Sequence, residues 1–235
     1  IDPQAEYLGI TQRCGGQIIT ISRDSDTMIN PFDLMNHSYE DKRLSLMDLF
    51  KVMFEELSEV QRAILDRAVD NTYNKKYINK DSDEYRKPPT LGMFYQTLLS
   101  MEKEANNMEK ATYSALTNRL YIYTKAGVFG FLDRETNINF KNDFVCFNIG
   151  YLPKQVKPVV MFLILDYIYT TMRKDLARKL LVIDEAWSLL SKSEEEGYIF
   201  EIVKTCRKFN LGLLMITQDV ADLVNSKAGH AALAN

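Results

Sequence analysis

The sequence has few of the residues that build metal centres or disulfide scaffolds. Its 235 residues include only two histidines and three cysteines. Cys14, Cys146 and Cys206 are widely separated and form no CxxC pair, which argues against a zinc site and favours a reducing compartment. His37 and His230 are too few and too far apart for a histidine-based metal site.

Long apolar runs and a strong net charge are also missing. The most apolar segment, VVMFLIL at 159–165, is followed by Asp166 and is far shorter than the ~20 residues that span a bilayer. It predicts a buried helix. With a net charge of −3, any contact with DNA would need a local basic patch. Arg119 and Lys125, in an aromatic-rich helical segment, are too sparse to form one.

The beginning of the sequence shows no export signal. The opening IDPQAEY has neither the basic start nor the apolar core of a signal peptide. It has the pattern of a strand end followed by a turn. No segment of the sequence is expected to cross a membrane.

What is present is a change of apolar period along the chain. Residues 1–39 contain a short strand and are expected to begin an α/β core. Residues 40–127 have helical spacing and are expected to form an inserted all-helical subdomain. Residues 128–235 alternate between strands and helices and are expected to complete the core.

Within the helical region, local signals mark where helices begin. Ser58 followed by Gln61 is a capping-box pattern, and Thr90 is expected to cap the next helix. A further helix is expected to run through KATYSALTNRLYIYTKA to Gly127.

The last third predicts a parallel sheet. Apolar strands are expected at 143–149, 179–185 and 211–217, separated by helices at 155–173 and 194–209. Continuous apolar strands joined by helices are typical of a mainly parallel sheet covered on both faces. Ligands of such sheets bind outside the carboxyl ends of the strands.

Two adjacent carboxylates lie at one of those ends. The apolar strand LLVI leads directly into Asp184 and Glu185. This is the Walker B pattern, in which the Asp holds Mg²⁺ through water and the Glu accepts a proton from the attacking water. The alternative is a helix-capping Asp beside a solvated Glu. On the strand and its two carboxylates alone, the two interpretations stay open.

Polar residues around the neighbouring strand add to the pattern. Gln218 follows Thr217 at the strand tip, where it could orient water or sense a phosphate. Arg207 and Lys208 precede the same strand. They are either helix C-terminal cations that complement the helix dipole or an arginine finger that reaches the nucleotide of a neighbouring subunit.

The opening segment supplies two further acidic candidates. Asp2 and Glu6 follow a predicted strand end, where an acidic cluster could flank the phosphates of a nucleotide. A turn begun by Asp-Pro explains the same residues equally well.

These motifs together carry a family resemblance. In chain order they are IDPQAEY, INPFDL, GVFGFLDRETNI, LLVIDEAWSLL, CRKFNLGLLMITQDVADL and ALAN. The series resembles the ATPase domain of the large conjugative-transfer and type IV secretion ATPases, in the FtsK–HerA branch of RecA-like P-loop motors. The resemblance covers nearly the whole chain, including the helical insertion.

The resemblance implies a fold and a set of roles. The fold would be a RecA-like three-layer α/β domain with a mainly parallel sheet and an inserted helical subdomain. Asp184 and Glu185 would be the Walker B pair, with Mg²⁺ and ATP as cofactors. Gln218 would belong to the sensor motif, and Arg207 would act across the subunit interface.

The implied function is that of an ATP-driven motor. It would energise pilus assembly and substrate transfer from the cytoplasmic face of the inner membrane. Its partners would be further copies of itself, as a hexamer or smaller oligomer, inner-membrane channel components, and a DNA or protein substrate. The alternatives are a DNA-translocating coupling-type ATPase and a non-catalytic scaffold with the same fold.

One motif of such motors is not in the sequence. No GxxxxGK[ST] occurs, and TKAG and SKAG place Gly after Lys rather than before it. The sequence is therefore expected to be a portion of a longer protein without its Walker A loop, which alone would bind nucleotide poorly. A pseudo-ATPase is the alternative, against which the intact Walker B carboxylates argue.

Overall fold

The chain forms two compact units in a computed structural model. The model describes residues 1–35, 37–79, 86–174, 176–186, 200–217, 221, 224 and 227–234. One unit, here the core unit, comprises Ile1–Ser22 and Asn139–Asn235, and the other, the helical unit, comprises Arg23–Ile138. The region predicted as a helical subdomain, 40–127, lies inside the helical unit.

Four parallel strands organise the core unit. Strand β1 (Gln17–Thr20) pairs with β2 (Val145–Asn148), and β3 (Lys179–Ile183) pairs with β4 (Leu211–Met215). Each pair is in register from its first residue to its last. The predicted parallel strands are therefore present, each slightly shorter than its apolar run.

The opening dipeptide joins the two strand pairs. Asp2 forms a parallel bridge with Asn148, at the end of β2. On its other side, the backbone nitrogen of Ile1 donates to the Val182 carbonyl (2.6 Å), and the Asp184 N–H donates to the Ile1 carbonyl (3.3 Å). This is the hydrogen-bond pattern of parallel strands. The spatial order is β1, β2, the opening dipeptide, β3, β4.

Apolar burial holds the core unit together. Helix α1 (Leu8–Arg13) follows the opening turn, and α6 (Lys157–Lys174) connects β2 to β3. All seven residues from 159 to 165 are buried, which confirms the buried helix predicted there. Among the described residues, no helix combines the length and apolarity needed to cross a membrane.

The two faces of the pair β3–β4 differ in exposure. Leu181 and Ile183 are buried, whereas Leu180 is 67% exposed and Leu214 is 47% exposed. Successive side chains of a strand point to opposite faces of the sheet. The side chains on one face of this pair are therefore more deeply buried than those on the other.

Four consecutive helices form most of the helical unit. They are α2 (Tyr39–Phe54), α3 (Glu59–Asn74), α4 (Leu91–Glu104) and α5 (Asn107–Tyr121). Each packs against the next along the chain. The predicted capping box is confirmed at the start of α3, because Ser58 Oγ accepts from the Gln61 N–H and Gln61 Oε1 accepts from the Ser58 N–H.

The start of α4 differs from the prediction. Thr90 occupies the capping position, but its side chain makes no capping hydrogen bond. Instead, Asp133 Oδ1 accepts from the Gly92 N–H at 2.8 Å, so the cap comes from 41 residues further along. A Cβ on Gly92 would lie 2.4 Å from Asp133 Oδ2. Glycine therefore permits this remote carboxylate to approach the helix end.

Helix α5 ends earlier than predicted. It stops at Tyr121, and the chain turns back so that the Phe129 N–H donates to the Ile122 carbonyl at 2.8 Å. A Cβ on Gly127 would lie 2.4 Å from the Ile122 carbonyl oxygen. The close backbone approach at Gly127 explains why the helix does not reach it.

Aromatic rings fill the centre of the helical unit. Phe32 and Phe50 each lie about 5 Å, centroid to centroid, from Phe94, and all three are fully buried. The Tyr73 hydroxyl donates to the Phe32 carbonyl at 2.6 Å, which satisfies its polar end inside this core.

Two described segments near β4 are helical. Residues 200–205 are α-helical and continue into a 3₁₀ turn at Cys206–Phe209, after which Asn210 adopts a left-handed conformation (φ 53°). Helix α7 spans Lys227–Ala234. The predicted helix at 194–209 is thus described only from residue 200, and its last turn is 3₁₀.

Candidate active site

The predicted carboxylates meet at one edge of the core-unit sheet. Asp2 ends the central opening dipeptide, and Asp184 and Glu185 directly follow β3 beside it. In the sheet, β2 and then β1 lie on one side of this dipeptide, and β3 and then β4 lie on the other, so the strand order changes direction here. The carboxyl edge at such a change of direction is where parallel α/β sheets bind ligands.

Glu185 has an unusual backbone and a specific side-chain partner. Its φ angle is +51°, a left-handed conformation that is unfavourable for a residue with a side chain. Its N–H donates to Asp184 Oδ1 at 3.0 Å, and the Gln4 Nε2 amide donates to Glu185 Oε1 at 2.7 Å. The carboxylate is thereby held at the edge of the sheet, on a partly exposed side chain.

Asp184 lies deeper than Glu185, with only 6% of its surface exposed. Burial raises the pKa of the Tyr7 hydroxyl, and the charge of Asp184, to which that hydroxyl is hydrogen-bonded, raises it further. The Tyr7 hydroxyl thus interacts with the Asp184 carboxylate. Sequence reasoning did not single out Tyr7, although it lies within the opening motif.

The carboxylate of Asp2 accepts hydrogen bonds from the turn that follows it. It is 1% exposed, and its Oδ1 accepts from the backbone N–H groups of Gln4 (3.3 Å) and Glu6 (3.1 Å). Its Oδ2 accepts from the Tyr7 N–H at 3.0 Å. These contacts match the Asp-Pro turn interpretation. Glu6 has an exposed side chain on the same turn, and a role of either residue beside a phosphate stays a prediction.

A lysine that sequence reasoning missed also reaches this edge. Lys157, at the start of α6, donates from Nζ to the Pro3 carbonyl at 2.7 Å. Burial lowers the pKa of Lys157, the neighbouring charge of Lys154 lowers it further, and Asp2 opposes the shift. A signal was available, because a helix that follows a parallel strand begins at the carboxyl edge of the sheet.

Arg207 does not join the carboxylates within the chain. It lies exposed in the 3₁₀ turn that precedes β4, at the amino edge of the sheet. Glu185 follows β3 at the carboxyl edge, and the two strands are parallel and five residues long. With ~3.3 Å per residue, roughly 15 Å of strand separates the two edges.

Two other predicted features are only partly covered. Thr217 follows β4 with intermediate exposure, next to the end of the strand that pairs with β3. Gln218, the predicted sensor, lies outside the described residues, as does Trp187.

The residues at the carboxyl edge fit part of a nucleotide site. A buried carboxylate such as Asp184 suits a hydrated Mg²⁺, which keeps most of its waters and needs only one or two protein carboxylates. Across the described ranges, no group of three or more His, Cys, Asp or Glu side chains forms a metal cage. The sequence contains no GxxxxGK[ST] loop to cradle the phosphates. Asp184 and Glu185 are therefore candidates for the metal and water part of such chemistry.

Comparison with known proteins identifies the fold and the family. The sequence matches the family model of the TraG P-loop domain over residues 1–235. The structure of VirB4 from Thermoanaerobacter pseudethanolicus matches with a TM-score of 0.86 and 24% sequence identity, over 99% of this chain and 65% of that one. A bacterial conjugative coupling protein, TrwBdeltaN70 in its unbound monoclinic form, matches with a TM-score of 0.48 and 15% identity, over 95% and 61%. None of the curated proteins matches.

The VirB4 match confirms the predicted RecA-like α/β fold class, and this chain spans 65% of the length of that protein. The coupling-protein match, at its lower TM-score, does not enter the fold assignment. The chain belongs to the TraG P-loop domain family, which confirms the resemblance to the conjugative-transfer and type IV secretion ATPases that its motifs indicate.

Proposed function

We propose that this chain is the ATP-hydrolysing motor domain of a type IV secretion or conjugative-transfer apparatus, where it energises pilus assembly and substrate transfer. The observation that carries the proposal is the position of Asp184 and Glu185. The two carboxylates are adjacent, with Asp184 buried and Glu185 half-exposed. They lie at the carboxyl edge of the sheet, beside the opening dipeptide from which the strand order runs in both directions. Membership of a P-loop domain family supports nucleotide as the ligand.

The two carboxylates have different roles because their environments differ. Asp184, buried and hydrogen-bonded to Tyr7, would hold Mg²⁺ through water. When bound, the ion neutralises negative charge on the phosphate oxygens. Glu185, half-exposed at the tip, would accept the proton of the attacking water. Gln218 would orient that water from the neighbouring strand.

Arg207 supports an oligomer as the active form. It is exposed at the sheet edge opposite Glu185, where it is accessible to another subunit. In a ring of identical subunits it would contact the nucleotide of the neighbouring copy. The assembly, a hexamer or smaller oligomer, would work at the cytoplasmic face of the inner membrane on channel components and a DNA or protein substrate.

The 235 residues alone would hydrolyse ATP poorly. Backbone N–H groups and a lysine of a P-loop normally hold the phosphates, and no GxxxxGK[ST] is present to supply them. Measurable ATP turnover by residues 1–235 alone would contradict this.

The proposal is tested by Glu185→Gln in a form of the protein that also carries a phosphate-binding loop. Loss of a general base should lower kcat by about 10²–10⁴ while ATP still binds, because the amide keeps the shape but not the basicity. Glu201→Gln, an exposed glutamate of the core unit, is the matched control and should leave kcat unchanged.

Unchanged turnover of Glu185→Gln would contradict the role of Glu185 as the general base. Absence of ATP turnover in the unmodified protein that carries the phosphate-binding loop would contradict the motor assignment and favour a scaffold. Adding double-stranded DNA to the unmodified protein separates the two motor types. A marked rise in ATP turnover would favour a DNA pump, and a flat response would favour the secretion motor.

A further inference from the structure

The opening turn places a side-chain amide directly against the proposed catalytic carboxylate. Gln4 Nε2 lies 2.7 Å from Glu185 Oε1, although the two residues are 181 positions apart in the chain. A hydrogen bond to an ionised carboxylate is shorter and stronger than one between neutral groups. The contact therefore restricts where the Glu185 carboxylate can point.

The backbone that carries Gln4 is itself fixed. The Gln4 N–H donates to the buried carboxylate of Asp2, and the next residue, Ala5, is held at φ +62°. A Cβ on Gly150 would lie 2.8 Å from Ala5 Cβ, so the loop after β2 packs closely against this turn. Gln4 is thus presented from a tightly packed turn, not from a free chain end.

We infer that Gln4 is a positioning residue for Glu185. Glu185 has a left-handed backbone at the start of a loop, and the Gln4 amide holds its carboxylate at the carboxyl edge, where water would be activated. This role rests on the function proposed above. Gln4 acts through Glu185 and needs no contact of its own with the nucleotide.

The test uses an isosteric pair of substitutions in the protein form that carries the phosphate-binding loop. Gln4→Glu keeps the shape but loses the N–H donor, and Gln4→Ala removes the group. Both should lower kcat by about tenfold with KM unchanged, as expected for a hydrogen bond to a charged group. Gln4→Asn, which keeps a donor on a shorter side chain, should recover part of the rate. Gln12→Glu, an exposed glutamine on α1, is the matched control and should have wild-type kcat.

A double-mutant cycle separates positioning from a general structural effect. If Gln4 acts through Glu185, Gln4→Ala should cause no further loss of turnover in a Glu185→Gln background. Additive losses, or a lower melting temperature that accounts for the loss, would overturn the inference. Full kcat in both Gln4→Glu and Gln4→Ala would also overturn it, while leaving the proposed function intact. Normal turnover of Glu185→Gln alone would remove the catalytic role of Glu185 on which the inference rests, whereas absence of ATP turnover in the unmodified protein would remove the proposed function itself.

A second, independent observation concerns the helical unit. A cavity of about 490 Å³, open to solvent, has three basic side chains among the eight residues that line it, those of Arg23, Lys125 and Arg134. Arg23 Nη2 donates to the Val128 carbonyl (3.3 Å) and Arg134 Nη1 to the Ser25 carbonyl (3.0 Å). Within the described part of the chain, no carboxylate forms a salt bridge with any of the three. Folding thus collects cations that are up to 111 positions apart.

One carboxylate, that of Asp133, also lines the cavity, and it already accepts hydrogen bonds from the backbone. Asp133 is 3% exposed, and its two oxygens accept from the backbone N–H groups of Gly92 (2.8 Å) and Lys125 (3.2 Å). The cavity is therefore positive overall and retains guanidinium and ammonium donors. Guanidinium groups bind phosphate oxygens well because their paired N–H groups match them.

We propose that this cavity binds phosphate groups, either of a free phosphate compound or of a nucleic-acid backbone. The test saturates the ATP site with a non-hydrolysable ATP analogue, then measures binding of inorganic pyrophosphate and of a single-stranded oligothymidylate. Lys125→Ala combined with Arg134→Ala should weaken binding by about tenfold or more. Arg67→Ala, exposed in the same unit, should not.

The two probes distinguish the sources. A nucleic-acid backbone would be supported if the protein binds oligothymidylate and pyrophosphate displaces it. The cavity variant should then lose this binding, and Arg67→Ala should keep it. Pyrophosphate binding without oligothymidylate binding would support a free phosphate compound. Absence of binding by both probes, or equal binding by the cavity variant and Arg67→Ala, would overturn the proposal.

Discussion

The two compact units use their charged and polar side chains in opposite ways. In the helical unit, Arg43 forms salt bridges with Asp66 (2.8 Å) and Asp70 (3.3 Å), and the Tyr39 hydroxyl donates to Asp70 at 2.6 Å. These groups satisfy one another and tie α2 to α3. In the core unit, the half-exposed Glu185 is held in a left-handed conformation at the sheet edge.

The difference separates stability from function. A satisfied network between helices favours one packed state, and removing a member leaves a partner without its hydrogen bond. A residue held in a sparsely populated conformation costs free energy and is retained where the surrounding structure requires it, often at functional sites. Substitutions at the core-unit edge should therefore change turnover, and substitutions inside the helical unit should change unfolding.

The largest expected effect sharpens the functional half of this contrast. Arg207→Ala should lower turnover by about 10³ in the oligomer, because an arginine finger stabilises the charge of the transition state. Its unfolding should be unchanged, since the side chain is exposed. ATPase assays of the oligomer and of a dilute monomeric form measure this, with Arg13→Ala as the exposed control. Equal loss in the monomer would assign Arg207 a structural role.

A smaller effect tests the structural half. Asp133→Ala should lower the free energy of unfolding by about 2 kcal/mol, because two backbone N–H groups that it now satisfies would be left without a partner. Urea unfolding measures the change, and Asp24→Ala, an exposed aspartate of the same unit, is the control. Asp133→Ala with wild-type stability would break the contrast between the units.

The smallest effect is a pH dependence of the helical unit. Burial, with a further contribution from the charge of Glu55, raises the pKa of Tyr123 from 10.0 to about 12. A raised pKa in the folded state means that stability is fully present below pH 10 and is lost as the pH rises toward 12. The slope should reach about 1.4 kcal/mol per pH unit within this window.

Tyr123→Phe should remove that slope, although it also loses the hydroxyl bond to the Met53 carbonyl and is slightly less stable at neutral pH. Urea unfolding at about pH 9 and about pH 11 measures it, with the exposed Tyr121→Phe as control. The same slope in Tyr123→Phe as in the unmodified protein would show that another group titrates.

Local sequence signals located the strands and the carboxylate pair proposed as Walker B. An apolar run followed by Asp184 and Glu185 places both residues at a strand tip in any parallel arrangement. The Ser58 and Gln61 capping box is likewise readable, because its two hydrogen bonds join residues three apart. The cap of α4 was not readable from the sequence. Thr90 occupies the capping position, but the carboxylate that caps the helix belongs to Asp133, far along the chain.

The sequence by itself determined the strands, most of the helices, the family and the position of Asp184 and Glu185 after a strand, because each depends on residues close together in the chain. Tertiary structure alone decided which side chains surround them. It brought Gln4 to Glu185, Lys157 to Pro3, and Arg23 to a cavity with Arg134. Such contacts depend on strand order and loop packing, which set distances between residues more than a hundred positions apart. No local periodicity records those distances.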